Sequence, residues 1–173
     1  RFNKGEMISA DSINFPDSLK YYTKNTERVV YGGGGIMPDI FIPIDTTRYS
    51  DYFNNLVRRG LLNSYILQYI DENRDRLESK YSTFSDYKSN FKVTDEILNN
   101  LIEYAEEEGL DSKDKEKDVS SDNIKLHVKA LIARDLWDMS EYFQVVNKED
   151  KVYQKALEVL NNWEKYETQY LKK

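Results

Sequence analysis

The sequence predicts a mainly α protein, in which a multi-helix domain follows a short segment of strands and loops. All three prolines and five of the seven glycines fall within residues 1–47, where they break regular structure. From Asp45 onward, apolar residues recur at spacings of three, four and seven, which is typical of helices. The chain contains no cysteine, so disulfides play no part in this architecture.

Residues 1–47 carry short β-like runs at Arg28–Tyr31 and Ile40–Ile44, with four glycines at 32–35 between them. Ordering four glycines costs too much backbone entropy for a helix, so a loop is predicted. A phosphate-binding loop needs Gly-Lys-Ser/Thr at the start of a helix, whereas Ile-Met-Pro-Asp follows here. The glycines are therefore interpreted as a conformational element, and no cofactor is expected.

Residues 48–173 are predicted to form one helical domain. Thr46, Thr47 and Ser50 offer N-caps for the first helix, and Gly60 ends it. The apolar residues of the first two helices are Tyr52, Phe53, Leu56 and Val57, then Leu62, Ile66, Tyr69, Ile70 and Leu77. A Thr83-capped turn over residues 84–90 follows, then a helix from Thr94 to Gly109 with Ile97, Leu98, Leu101, Ile102 and Ala105.

A charged, mobile linker is predicted at residues 110–123, which hold eight charges and only two apolar side chains. Two amphipathic stripes come after it, so the chain should contain about five helices in all. Their residues are Ile124, Val128, Leu131, Ile132, Leu136 and Met139, then Val152, Ala156, Leu157, Leu160, Trp163 and Tyr170. The segment Ala130–Trp137 is interpreted as core, with docking against another domain as the alternative.

The net charge of −6 and the pI near 5.0 argue against a nucleic-acid partner and against docking on an anionic membrane. The sequence has no apolar run long enough for a signal peptide or a membrane span. Because it begins at Arg1, it is interpreted as a piece of a longer protein.

His127 is the only histidine, and no acid on its helix face could orient it. It is interpreted as a partly exposed helix residue rather than as part of a triad or a zinc site. The acids at 106–108, Asp135, Asp138 and Glu141 fall in helical runs and are interpreted as solvated faces, with Arg134 paired to Asp138. No catalytic, cofactor-binding or metal-binding residue is assigned.

The glycine run continues into a longer pattern, which consists of Gly33, Gly34, Gly35, Ile36, Met37, Pro38, Asp39 and Ile40, then Ile42 and Pro43. This pattern resembles the end of the protease domain in the carboxy-terminal processing (tail-specific) peptidases, a serine–lysine family. Phe15–Lys20 and Ala133–Asp138 are similar to Bacteroidetes-type members, which append a helical tail.

The resemblance implies that residues 1–47 are the C-terminal edge of a protease domain and that 48–173 are an accessory helical domain. It also implies a periplasmic or envelope-associated serine endopeptidase, with protease and PDZ domains upstream and polypeptide substrates. The catalytic serine and lysine of the family lie upstream of the glycine signature. Ser50 with Lys80, and Ser140 with Lys148, lie outside family-like motifs, so this chain is expected to be inactive by itself.

Two hypotheses follow from the sequence: an accessory domain of such a peptidase, or a stand-alone helical protein-interaction module. An accessory domain should expose an apolar patch near residues 28–44, where a protease sheet would continue. For residues 1–30, extended chain and pairing between chains into a homo-oligomer both stay open.

Overall fold

α-Helices make up most of the chain, which confirms the predicted mainly α class. The computed structural model describes residues 6–25, 27–33, 38–45, 50–111 and 114–171. The chain divides into two units, one of Arg1–Asp45 with Lys151–Lys173 and the other of Thr46–Asp150. The region 48–173, predicted as one domain, is thus divided after Asp150.

The helices and strands follow one another in a simple order. The strands are β1 (Lys20–Tyr22) and β2 (Val29–Tyr31), and the first helices are α1 (Asp51–Arg58), α2 (Leu61–Lys80), α3 (Phe84–Asn90) and α4 (Asp95–Glu107). The remaining helices are α5 (Asp114–Leu136), α6 (Met139–Val146), α7 (Lys151–Asn161) and α8 (Trp163–Tyr166). A π-helical turn at Glu167–Leu171 follows α8.

Three helices of the second unit begin at the residues that the sequence indicates. Ser50 Oγ accepts a hydrogen bond from Phe53 N at 3.2 Å and caps α1. Thr83 and Thr94 cap α3 and α4 in the same way. Because a cap satisfies a backbone N–H that has no partner within the helix, these hydroxyls fix where each helix starts. Thr46 and Thr47 lie outside the described residues.

Glycines close α1 and α4. Gly60 and Gly109 have φ angles of 75° and 76°, and residues with a Cβ rarely adopt this left-handed backbone conformation. After α4, Leu110 N donates to Ala105 O at 2.8 Å, so the helix ends in a Schellman motif. The guanidinium of Arg59 also donates to Gly109 O at 3.0 Å, which joins the end of α1 to the end of α4.

The core of the second unit is built around α5, which contacts α1, α2, α4 and α6. Ile124, Val128 and Ile132 are at most 1% exposed, so the predicted stripe faces the interior. Ala130 and Ala133 are fully buried beside it, and Leu131 and Trp137 are partly buried. These positions support the interpretation of Ala130–Trp137 as core.

The predicted linker at 110–123 is wrong over most of its length, because α5 begins at Asp114. Ser120 is fully buried and Asn123 is 6% exposed. The hydroxyl of Ser120 hydrogen bonds to the hydroxyl of Ser50 at the start of α1. At these two positions the buried face of α5 is polar, which an apolar periodicity does not detect.

The chain contains more helices than the five or so predicted. One reason is that the predicted stripe from Ile124 to Met139 spans a helix boundary, where α5 ends at Leu136 and Asp138 caps the start of α6. Its carboxylate accepts hydrogen bonds from Met139 N and Ser140 N and caps α6. Arg134 pairs with its neighbour Asp135 at 3.1 Å, so the expected pair with Asp138 is wrong. Several residues of the predicted apolar stripes lie at the surface. Val57 is 51% exposed and Met139 is 49% exposed, and in the last stripe Val152, Leu157, Leu160 and Trp163 are exposed as well.

An aromatic cluster surrounds Tyr87 on α3. The ring of Tyr87 stacks on Phe91 at 4.6 Å and lies 5.2 Å from the ring of Trp137. The ring of Tyr81 meets that of Tyr87 edge-on at 5.6 Å, and the Tyr87 hydroxyl donates to Lys129 O at 2.9 Å. The ammonium of Lys129 in turn donates to Phe91 O at 2.7 Å, so this cluster attaches α3 to the middle of α5.

In the first unit, polar contacts connect segments that are distant in sequence. Lys151 Nζ lies 2.7 Å from Asp45 Oδ2. Near the C-terminus, Lys155 Nζ lies 2.9 Å from Glu158 Oε2, and the Tyr166 hydroxyl donates to the same carboxylate at 2.6 Å. The single continuous helix expected there is interrupted at Asn162.

Candidate functional site

A β-hairpin immediately precedes the glycine signature. Lys20–Tyr22 pairs antiparallel with Val29–Tyr31. In the turn, Thr23 Oγ1 accepts a hydrogen bond from Arg28 N at 3.0 Å, and Glu27 adopts a positive φ of 51°. The predicted run Arg28–Tyr31 therefore contains β2, whereas β1 was not predicted.

The second β-like run does not form a strand. Within Ile40–Ile44 the structure has no ladder, and Ile44 N donates to Met7 O at 3.0 Å. Pro43 has no N–H to contribute to a ladder, which explains why this apolar run stays irregular.

The glycines after β2 let side chains pass close to the backbone. A Cβ at Gly32 would lie 2.5 Å from the ring of Tyr21, and one at Gly33 would lie 3.2 Å from Leu19 Cδ1. The side chains of the first strand region thus cover the chain just after β2. Residues 34–36, which complete the glycine part of the signature, lie outside the described residues.

Two residues that follow the glycines in this pattern lie at the surface. Pro38 and Asp39 are exposed, and the carboxylate of Asp39 forms an ion pair with the guanidinium of Arg28. This ion pair joins the segment after the glycines to the start of β2.

The hairpin exposes several apolar side chains. Tyr21 and Tyr22 are 56% and 62% exposed, and Val29 and Val30 are 43% and 42% exposed. Because successive residues of a strand point to opposite faces, both faces of the hairpin are apolar and open. A two-stranded sheet is marginally stable by itself and leaves both outer edges available for pairing.

The serine–lysine pairs considered from the sequence have other roles. Ser50 caps α1, and Lys80 Nζ lies over the ring of Tyr81 at 5.3 Å. Ser140 Oγ donates to the carboxylate of Glu141 at 2.6 Å, and Lys148 is exposed. The partners that the structure gives these serines are polar groups without a basic nitrogen.

His127 is half-buried, and it contacts two other helices. Its Nδ1 lies 3.3 Å from the hydroxyl of Tyr142 on α6, and its ring centre lies 5.0 Å from that of Phe53 on α1. Sequence reasoning examined only its own helix face and missed both contacts. The part of the chain that the structure describes contains no group of three or more His, Asp or Glu side chains that could hold a metal ion.

A groove of about 590 Å³ lies between α2 and α4 and was not predicted. Its wall includes the rings of Tyr65, Tyr69 and Tyr104. The ring centres of Tyr65 and Tyr104 are 5.8 Å apart, and the Tyr65 hydroxyl donates to Ile97 O at 3.2 Å. The tyrosine side chains are thus held in place across the two helices.

Charged residues of both signs line the groove at different positions. Arg59 precedes α2 and binds the carbonyl of Gly109, which follows α4, so the two helices run antiparallel. The wall therefore has an acidic end, where Glu103 and Glu107 lie near the start of α2. It also has a basic end, where Lys80 is the last residue of α2. The other charged lining residues are Glu72, Arg76, Lys92 and Glu96.

Ionisation of the buried tyrosines offers a test of this packing. Burial raises the pKa of Tyr52 and that of Tyr65 to about 12, with smaller contributions from nearby acids. Burial also raises the pKa values of Tyr69 and Tyr87. A raised phenol pKa contributes stability that is complete below its unfolded value of 10.0 and is lost as the pH rises through about 12.

We therefore expect ultraviolet absorbance titration of the folded protein to show a group of phenols that ionise only above pH 10.0. Urea unfolding should give a lower free energy of unfolding at about pH 11 than at about pH 9. A single titration step shared by all 14 tyrosines would contradict this packing.

No described helix is both long enough and apolar enough to cross a membrane. No curated protein and no solved structure matches the chain. One family model, described as "Family of unknown function (DUF8443)", matches residues 52–138. This span is half of the chain, and it includes α1 to α5, the groove and the Tyr87 cluster. The chain therefore belongs to DUF8443.

Proposed function

We propose that this chain is a non-catalytic C-terminal accessory domain of a periplasmic or secreted serine endopeptidase. The exposed hairpin is the observation that carries this proposal, because its apolar side chains lie beside the residues that resemble the peptidase signature. In this arrangement the helical unit supports the protease core, the substrate path or the assembly of the enzyme.

The chemistry of the hairpin fits a neighbouring sheet. Open strand edges present unpaired N–H and C=O groups, which a further strand can satisfy. The rings of Tyr21 and Tyr22 and the side chain of Val30 would lose water at such a contact, and this is favourable in proportion to the apolar area buried. In the proposed arrangement, the occupant of this surface is the sheet of a protease domain that precedes this chain in a longer protein.

A second candidate is a stand-alone helical interaction module. The stripe on α5 is buried, so it offers no docking surface of its own. On α6, however, Phe143 is 51% exposed next to Met139, and this pair could contact a partner helix. In that case, substitutions on α6 would abolish partner binding and substitutions in the hairpin would not.

The test compares this chain with the longer product that the proposal implies, in which a protease domain precedes it. Unfolded casein should be cleaved by the longer product and left intact by the chain alone. Replacing Val30 with Asp in the longer product should lower the cleavage rate about tenfold, because a carboxylate would lose its water at the proposed contact.

Val152→Asp is the matched control, since Val152 is 61% exposed on α7 and lies outside the hairpin. Equal cleavage rates in the two aspartate variants would contradict the proposed hairpin contact. Cleavage of casein by the chain alone, retained after rigorous purification, would overturn the non-catalytic assignment.

A further inference from the structure

We propose that the groove between α2 and α4 binds an extended stretch of polypeptide that carries a basic side chain at one end and an acidic side chain at the other. The groove belongs to the unit Thr46–Asp150, whereas the proposed function rests on the hairpin. The two proposals can therefore fail separately.

The dimensions of the groove suit a short extended peptide. Its lining residues on α2 run from Tyr65 and Gln68 to Lys80. From Gln68 to Lys80, a rise of 1.5 Å per residue gives a length of about 18 Å. An extended chain advances about 3.3 Å per residue, so about five residues fit along the groove.

The acidic end of the groove can recognise a lysine or an arginine. Glu103 and Glu107 lie on one face of α4, and the ring of Tyr104 is beside them in the same wall. The ring of Tyr65 on α2 lies against that of Tyr104, with 5.8 Å between the two ring centres. A cationic side chain would lie against the aromatic rings while its charge pairs with a carboxylate.

The opposite end of the groove has the complementary charge. Arg76 and Lys80 on α2 lie with Lys92, which precedes α4. Arg76 Nη2 is 3.5 Å from the hydroxyl of Tyr69, so its guanidinium lies along the groove. These three cations outnumber the one carboxylate at this end, that of Glu96 in the first turn of α4, so the end favours a carboxylate on the bound segment.

Amide side chains line the groove along with these charges. Gln68, Asn73 and Asn100 belong to the wall. An amide both donates and accepts hydrogen bonds, as the backbone of an extended peptide does. Aromatic rings and amides would also suit a saccharide, but charges of opposite sign at the two ends favour a ligand that carries both charges.

The probe is a blocked five-residue peptide with lysine at one end, glutamate at the other and alanines between. We expect it to shift backbone amide resonances of α2 and α4 in the full chain, and we expect the affinity to fall as salt rises from about 0.05 M to about 0.5 M. A peptide with serine at both ends should bind about tenfold more weakly or not at all.

Charge reversal at Glu103 tests the orientation. Glu103→Lys should weaken binding of the lysine–glutamate peptide about tenfold. Asp75→Lys changes the net charge equally at an exposed position of α2 outside the groove and should leave binding unchanged. Thermal melting and circular dichroism would establish that both variants are folded.

Three results would overturn the proposal. They are the absence of peptide-induced shifts, equal affinity for the charged and serine peptides, and equal effects of the two charge reversals. A neutral oligosaccharide that shifts the same resonances while the peptides do not would assign the groove to saccharides instead.

Discussion

Replacing Tyr87 with alanine is expected to lower the free energy of unfolding by about 3–5 kcal/mol. The ring is fully buried, and it contacts Phe91, Trp137 and Tyr81. Its removal would leave a cavity between α3 and α5, since the neighbouring rings are too rigid to fill the space. Urea unfolding followed by circular dichroism measures the loss.

Tyr87→Phe separates the ring from its hydroxyl. This variant keeps the aromatic contacts and loses only the hydrogen bond to Lys129 O, so a loss of about 1 kcal/mol is expected. Equal losses in the alanine and phenylalanine variants would show that the hydroxyl, and not the packed ring, holds α3 in place.

Leu101→Ala is expected to cost about 2–5 kcal/mol. Leu101 is fully buried on α4, and its side chain belongs to the core cluster of the second unit. The matched control is Leu67→Ala on α2, where the side chain is 47% exposed and the cost should be about 0.5 kcal/mol or less. Chemical unfolding of both variants under the same conditions gives the comparison, and equal costs would contradict the placement of α4.

Local signals in the sequence predict much of the helical fold. Thr83 and Thr94 mark the starts of α3 and α4 because a hydroxyl cap acts within one helical turn. Gly60 and Gly109 mark ends because their left-handed conformation penalises residues with a Cβ. Such signals depend on neighbouring residues alone.

Features that depend on distant residues were missed. Ser120 is polar, and only its contact with Ser50 shows why this part of α5 is buried. β1 is three residues long and exposed on both faces, so it has no alternating pattern to detect.

The two candidate regions differ in the same way. Resemblance drew attention to Gly33–Asp39, although the open apolar hairpin beside it is visible only in the structure. The groove combines α2 with α4, and sequence reasoning interpreted acids such as Glu107 as a solvated face. The separation of its charges into an acidic end and a basic end is visible only when the antiparallel packing of α2 and α4 is known.

The ion pair between Asp45 and Lys151 has a consequence for biosynthesis. The two residues are separated by 106 positions, and a ribosome adds about 5–20 residues per second. The hairpin thus emerges several seconds before the C-terminal helices with which it shares a unit. During that interval its tyrosines and valines are exposed to chaperones and to other nascent chains, while the intervening residues have time to fold.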